Sequence, residues 1–168
     1  MDSISLLRAV REVIADDPEI RTQMESSDAT DMLANRLFYK DGVYARKATE
    51  EFQYPHLTFK LDRDDAQLRG ADDNSLFLEI NIVSIVDNSY YIIKLNRIAD
   101  RLNLMFSDKD GVNAPGALNA KALTFSPDPV NLKVRYVDWV SGISHDDKEQ
   151  GSERRHKIIC LLKFTVGD

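Results

Sequence analysis

Between Leu76 and Phe106 the chain passes from an apolar alternation directly into a helical stripe, and no other stretch constrains the fold as tightly. Leu76, Leu78, Ile80 and Ile82 alternate with Phe77, Glu79, Asn81 and Val83, which is the period of a half-buried strand. After Asp87, either Asn88 or Ser89 can accept from the free N–H groups of a first helical turn. Tyr91, Ile92, Leu95, Ile98, Ala99, Leu102, Met105 and Phe106 then share one helix face, and Lys94, Arg97, Asp100 and Arg101 share the other. The unit predicts a sheet with a helix laid across it, and it holds no arrangement of catalytic groups.

The flanking sequence fills in that sheet. Asp2 or Ser3 caps a first helix through Leu6, Leu7, Val10, Val13 and Ile14, which Asp16-Asp-Pro18 ends. A further turn or two over residues 19–25 leads to a polar connector, then a short helical turn and a strand around Arg36-Leu-Phe-Tyr39, with Asp41-Gly42 as turn chemistry. Tyr54-Pro55 opens a second strand in which His56, Thr58 and Lys60 form a wet face against Leu57, Phe59 and Leu61. After the long helix, residues 107–131 read as an excursion of turn residues with Lys121–Phe125 as a short strand or turn. A terminal hairpin follows, with Leu132, Val134, Tyr136 and Asp138 opposite Lys133, Arg135, Val137 and Trp139. It closes in Ile158, Cys160, Leu162, Phe164 and Val166 on an inner face. Helix, strands, helix and hairpin in this order predict an α+β fold, with a four- to five-stranded antiparallel or mixed sheet and two helices packed on one face. Residues 1–168 read as a single domain, with mobile loops at about 62–74, 107–131 and 144–155.

The 43% hydrophobic and 30% charged content of the 168 residues suits one soluble core. No apolar run approaches the length of a membrane span, and Met1-Asp-Ser-Ile does not resemble a signal peptide, so the expectation is a protein that is cytoplasmic in the cell that makes it. A net charge of −6 argues against wide gripping of a phosphate backbone, although DNA could pass an acidic wall without sticking. The single Cys160 sits in an apolar strand as a buried thiol. Asp64-Asp65, Asp72-Asp73 and Asp146-Asp147 read as solvated loop residues, and Asp108-Lys-Asp-Gly111 as an Asp-Gly turn that departs from the calcium-loop pattern. His56, His145 and His156 lack metal-ligand spacing, and no phosphate cradle or nucleophile elbow is present. No catalytic, cofactor-binding or metal residue is therefore expected. Arg154-Arg-His-Lys157 is the one basic cluster, suited to a partner surface or to guarding a strand entrance.

Several stretches together resemble one family, the tail terminator or tail completion proteins of long-tailed phages. They are Leu6-Leu-Arg-Ala-Val-Arg-Glu-Val-Ile-Ala-Asp-Asp-Pro18, Asn35-Arg-Leu-Phe-Tyr39, Tyr54-Pro-His-Leu-Thr-Phe59, Leu78-Glu-Ile-Asn-Ile-Val83 with its helix, and Cys160-Leu-Leu-Lys-Phe-Thr-Val166. Their order covers most of the chain. The resemblance implies a small virion protein at the tail-neck junction, assembled in the host cytoplasm as a homo-oligomeric ring, usually a hexamer, on the last ring of tail tube protein. Such a ring ends tube growth, offers the head or neck protein a docking surface and leaves a lumen through which DNA passes without specific binding. On this reading His145, Asp146, Asp147, Lys148, Glu149, Arg154 and Arg155, with Trp139, Arg97 and Arg101, are candidate protein contacts. Asp62, Asp64, Asp65, Asp72 and Asp73 are candidates for the lumen. Rival readings are a head-completion or adaptor neck protein, a non-viral protein-interaction module, and a small hydrolase using His56 with a loop aspartate.

Overall fold

Two aspartates and a proline organise the first turn of the chain. In the computed structural model, which describes residues 3–39, 53–63, 74–85, 91–106, 114–125, 133–139, 144–150 and 153–167, helix α1 (Ser3–Asp16) stops where Pro18 opens α2 (Pro18–Gln23). Asp17 between them is extended, and its Oδ1 accepts from the Ile20 N–H at 2.9 Å. Proline at the first helical position loses no hydrogen bond there, because that N–H has no intrahelical acceptor. The sequence that ends one helix therefore starts the next. α2 closes with Glu25 at φ 54, its N–H on Thr22 O and that of Ser26 on Arg21 O, the paired bonds of a Schellman cap. Asp28 then caps α3 (Ala29–Asn35) by accepting from Asp31 N–H at 2.8 Å.

The strands are β1 (Leu37–Tyr39), β2 (His56–Arg63), β3 (Asn74–Ile85), β4 (Lys133–Trp139), β5 (Ser144–Gln150) and β6 (Glu153–Gly167), with α4 (Tyr91–Phe106) and α5 (Ala114–Phe125) between β3 and β4. The sheet runs β1-β2-β3-β6-β4, with β5 also on β6, and is mixed because β1 is parallel to β2 while the other pairs are antiparallel. β3 pairs with β6 from Asn74↔Val166 to Ile85↔Arg155. β4 takes the far half of β6's other edge and β5 the near half, so the two lie end to end in one lane. The sheet thus has six strands in five lanes.

Register sorts the side chains. Leu57 faces Ile82, Phe59 faces Ile80, and Ile80 faces Cys160, so the inward row predicted from β3 continues across the sheet. Leu76, Leu78, Ile80, Ile82, Ile158, Cys160, Leu162 and Phe164 are all buried in one core with residues from all five helices, among them Leu6, Ile20, Met32, Leu95 and Leu118. The α4 stripe is buried as its period requires at Leu95, Ile98, Ala99, Leu102, Met105 and Phe106.

The chain is α+β, as its pattern predicts, and the structure corrects four details. The 107–131 excursion contains a helix, α5, where a short strand or turn was expected at Lys121–Phe125. Pro115 and Gly116 suggested a turn, but proline is tolerated in a first helical turn, and Ala117, Leu118, Ala120, Ala122 and Leu123 are strong helix formers. Within the loop expected at 144–155, residues 144–150 and 153–155 are strand, since β5 pairs with β6 from Ser144↔Ile159 to Gln150↔Glu153. The predicted wet face of β2 is dry at His56 (4% exposed) and Thr58, and only Lys60 is open. Strict alternation fails in β4, where Val134 and Val137 are both buried because the register shifts between Val134 and Tyr136. An extra residue at a bulge moves every later position to the other row. The turn expected at Asp41-Gly42, residues 64–73 of the loop expected at 62–74, the cap at Asn88 or Ser89 and residues 107–113 and 126–131 of the 107–131 excursion lie outside the described residues, while 62, 63 and 74 belong to strands.

Candidate interaction surface

The hairpin of β5 and β6 carries most of the sequence-predicted contact residues. Its register sets Glu149 opposite Arg154, Lys148 opposite Arg155, Asp147 opposite His156 and Asp146 opposite Lys157. By register Glu149–Arg154 and Asp146–Lys157 are opposite-charge pairs, each of a kind that contributes about 0.2–1 kcal/mol, whereas Lys148–Arg155 is a like-charge pair that costs stability. The run Ser-His-Asp-Asp-Lys-Glu-Gln, poor in strand formers, is thus a strand through its backbone pairing with β6. Gly151-Ser152 between the paired ends was the available sequence signal, since two residues beginning with Gly mark a hairpin connection. Arg155 is half-buried with its guanidinium 5.9 Å from the Tyr54 ring, and His156 is buried with its ring 5.6 Å from that of Tyr91 at the start of α4. In the ladder between β4 and β6, Trp139 pairs with Leu162 and Tyr136 with Thr165.

The cationic face of α4 is largely engaged within the chain. Arg101 donates from Nη2 to Asp17 Oδ2 at 2.7 Å and from Nε to the same oxygen at 3.1 Å, with Glu19 Oε2 3.4 Å from Nη1. Hydrogen bonding to Asp17 holds the Arg101 guanidinium more firmly protonated than usual, against an opposing push from partial burial. Lys94 pairs with Glu25 and holds that carboxyl below its ordinary range, first by its hydrogen bond and then by its charge. Arg97 and Asp100 are exposed, so Arg97 is the cation that this face presents outward. Of the lumen candidates, Asp62 pairs with Phe77 at the end of β2, while Asp64, Asp65, Asp72 and Asp73 lie outside the described residues.

His56, the pivot of the hydrolase reading, is packed between aromatic rings, 5.7 Å from Phe38 and 5.0 Å from Tyr54, with Nδ1 3.3 Å from Gln53 O. Burial pushes the Cys160 thiol up to about 12, which leaves almost no thiolate at neutral pH. Among the described residues no group of three or more His, Cys, Asp or Glu stands together as a metal site, and no helix is long and apolar enough to cross a membrane.

Three polar anchors escape a reading by periodicity. Arg36, expected at the head of the first strand, is buried at the end of α3, and its Nη1 donates to Pro55 O at 3.1 Å. Burial lowers its pKa, an effect that the charges of Asp31 and Glu25 oppose. Arg11 donates from Nη2 to both Leu33 O and Leu37 O at 2.8 Å, with Tyr39's ring 4.6 Å away. Asn119 of α5 binds Val134 of β4 through both backbone groups at 2.9 Å. α5 is fixed further by Lys121, which lies 2.9 Å from Asp16 on α1, and by Phe125 beneath Arg8. Only Asp17 had a local signature, an acceptor one place before a proline. The others depend on contacts distant in sequence.

No protein-family model matches this chain, and no curated protein does. One solved structure, whose name states no activity, aligns with 100% of this chain and 98% of its own at 15% identity and TM-score 0.50. At that identity the likeness concerns the fold alone.

Proposed function

We propose that this chain is a structural protein of a phage or phage-like tail, one that caps the tail tube as a homo-oligomeric ring, ends tube growth and forms the head-joining surface around a lumen for DNA. The observation carrying this reading is the one-sided architecture. Residues of all five helices share one core with one row of the sheet, and the opposite row of β3 and β6 carries half-buried Phe77, Val83, Ile85, Ile159 and Leu161 among buried Asn81 and half-buried Glu79, Lys157 and Lys163. A closing ring needs two unlike complementary surfaces on each subunit, and a helix layer backed by a mixed apolar and charged sheet row supplies two. The order of helix, strands, long helix and terminal hairpin also matches the order in which the sequence resembles tail terminators.

The charged β5–β6 hairpin and Arg97 on α4 are the contact groups of this reading, directed to a neighbouring subunit, the tube or the head side. A pull-down with tail tube protein and with portal protein as separate baits tests it. Retention on tube protein is expected. Retention on portal protein alone would favour a head-completion or adaptor protein, and retention on neither would overturn a place at the tail-neck junction.

A further inference from the structure

Among the described residues, side chains from the helix layer take the outward-facing backbone groups of one residue in each end strand, Leu37 of β1 and Val134 of β4. In β1 the Leu57 N–H bonds Arg36 O at 2.7 Å, so by the alternation of a parallel ladder residues 36 and 38 address β2 while Leu37 and Tyr39 address the side away from β2, an edge with no further strand among the described residues. The Arg11 guanidinium meets that edge, with Nη2 on Leu37 O and on Leu33 O in the last turn of α3, while its own Nε is buried without a hydrogen-bond partner. At the other side of the sheet, Val134 sends both its N–H and its C=O to the Asn119 carboxamide and not to β6. In an antiparallel pair both groups of a residue point the same way, so Asn119 fills the edge of β4 as a neighbouring strand would. The remaining edge, β5, is lined by Asp146, Asp147, Lys148 and Glu149, and charge along an edge discourages strand addition.

We infer that Arg11 and Asn119 are edge guards, side-chain plugs that keep copies of this chain from joining strand to strand through β1 and β4. Contacts between copies then run through side-chain surfaces, and the sheet does not continue from one subunit to the next. An unguarded edge strand is a template for another chain, and edge-to-edge addition does not close on itself by default, so a protein whose assembly must stop gains from blocking it.

The test compares Arg11→Ala, Asn119→Ala and the unaltered protein by sedimentation across a concentration series, with circular dichroism and thermal melts to establish folding. Each folded variant is expected to form a concentration-dependent species beyond the native distribution, with apparent mass raised about twofold or more. Adding Tyr39→Pro to Arg11→Ala should restore the native distribution. Tyr39 directs its N–H away from β2, where proline removes a donor without breaking the β1–β2 ladder. Where Arg11→Ala does not fold, Arg11→Lys takes its place, since one ammonium on a flexible stem holds the two carbonyls less firmly than a planar guanidinium. Folded variants at both positions that keep the native mass distribution would overturn the inference, as would association of the Arg11 variant that Tyr39→Pro leaves intact.

Discussion

Asp17 serves two structures at once, so its removal should cost more than a helix cap. Its side chain is 7% exposed and that of Arg101 is 21% exposed. Replacing Asp17 with Ala removes the acceptor for Ile20 N–H, a cap of about 1 kcal/mol. It also leaves Arg101 without its two-point partner, and hydrogen bonds to charged groups contribute about 1.5–3 kcal/mol each. Arg101 keeps a fifth of its surface in water and retains Glu19 at 3.4 Å, which places its share near the low end. Asp17→Ala should therefore destabilise by about 3 kcal/mol, Asn at the same position by less because its amide oxygen can still cap, and Arg101→Ala by about 1.5–2 kcal/mol. At about 2–4 °C per kcal/mol for a chain of this length, Asp17→Ala should lower Tm by about 9 °C. Urea unfolding of the two single variants and the double variant gives the coupling directly, expected near 1.5 kcal/mol. A coupling under about 0.3 kcal/mol would refute the reasoning, because the contact between α4 and the α1–α2 junction would then contribute nothing beyond the cap.

Further outcomes follow from the same structure. Cys160 should resist a thiol reagent at pH 8 in the native protein and react at the rate of unfolding once denaturant is added, because the thiolate form is suppressed and its strand is buried. Asp31 is held below its ordinary 3.8 first by the Ser26 hydroxyl and then by Asn35 Nδ2 at 2.8 Å. A carboxyl lowered in the folded state stabilises fully above its unfolded pKa and loses that contribution as pH falls through the folded one. The stability difference between native protein and Asp31→Asn should thus be constant above about pH 5 and shrink below 3.8, as pH-dependent urea melts would reveal. Phe164→Ala empties a fully buried site opposite Val137 and Leu76 and should cost about 3–5 kcal/mol in the same assay. Glu149→Lys sets a cation opposite Arg154 in place of an anion. It should loosen the hairpin by about 1 kcal/mol, read as faster amide exchange at its paired residues.

Where hydrophobic period alone decides structure, the sequence was legible. The β3 row and the α4 stripe sit as their spacing requires, because one face of each has nowhere to go but the core. Legibility ended where something else decided. Pro115 and Gly116 look like punctuation, yet α5 forms around alanines and is held by Asn119 and Lys121, whose partners lie on β4 and α1. Charged β5 has little strand propensity of its own and depends on its register with β6. His56 and Thr58 show how an alternation can locate two rows without telling which is dry. Among the candidate contacts, the hairpin residues were grouped by their charge and lie on the two paired strands β5 and β6, whereas Arg101 looked free only because Asp17 is 84 positions away in sequence.

The most direct test of the tail-capping account is the mass of the purified protein in solution, alone and mixed with tail tubes, followed by imaging of where it sits. The account predicts a ring of several subunits at one end of each tube and no further tube growth from that end. A protein that stays monomeric and never caps a tube would contradict it.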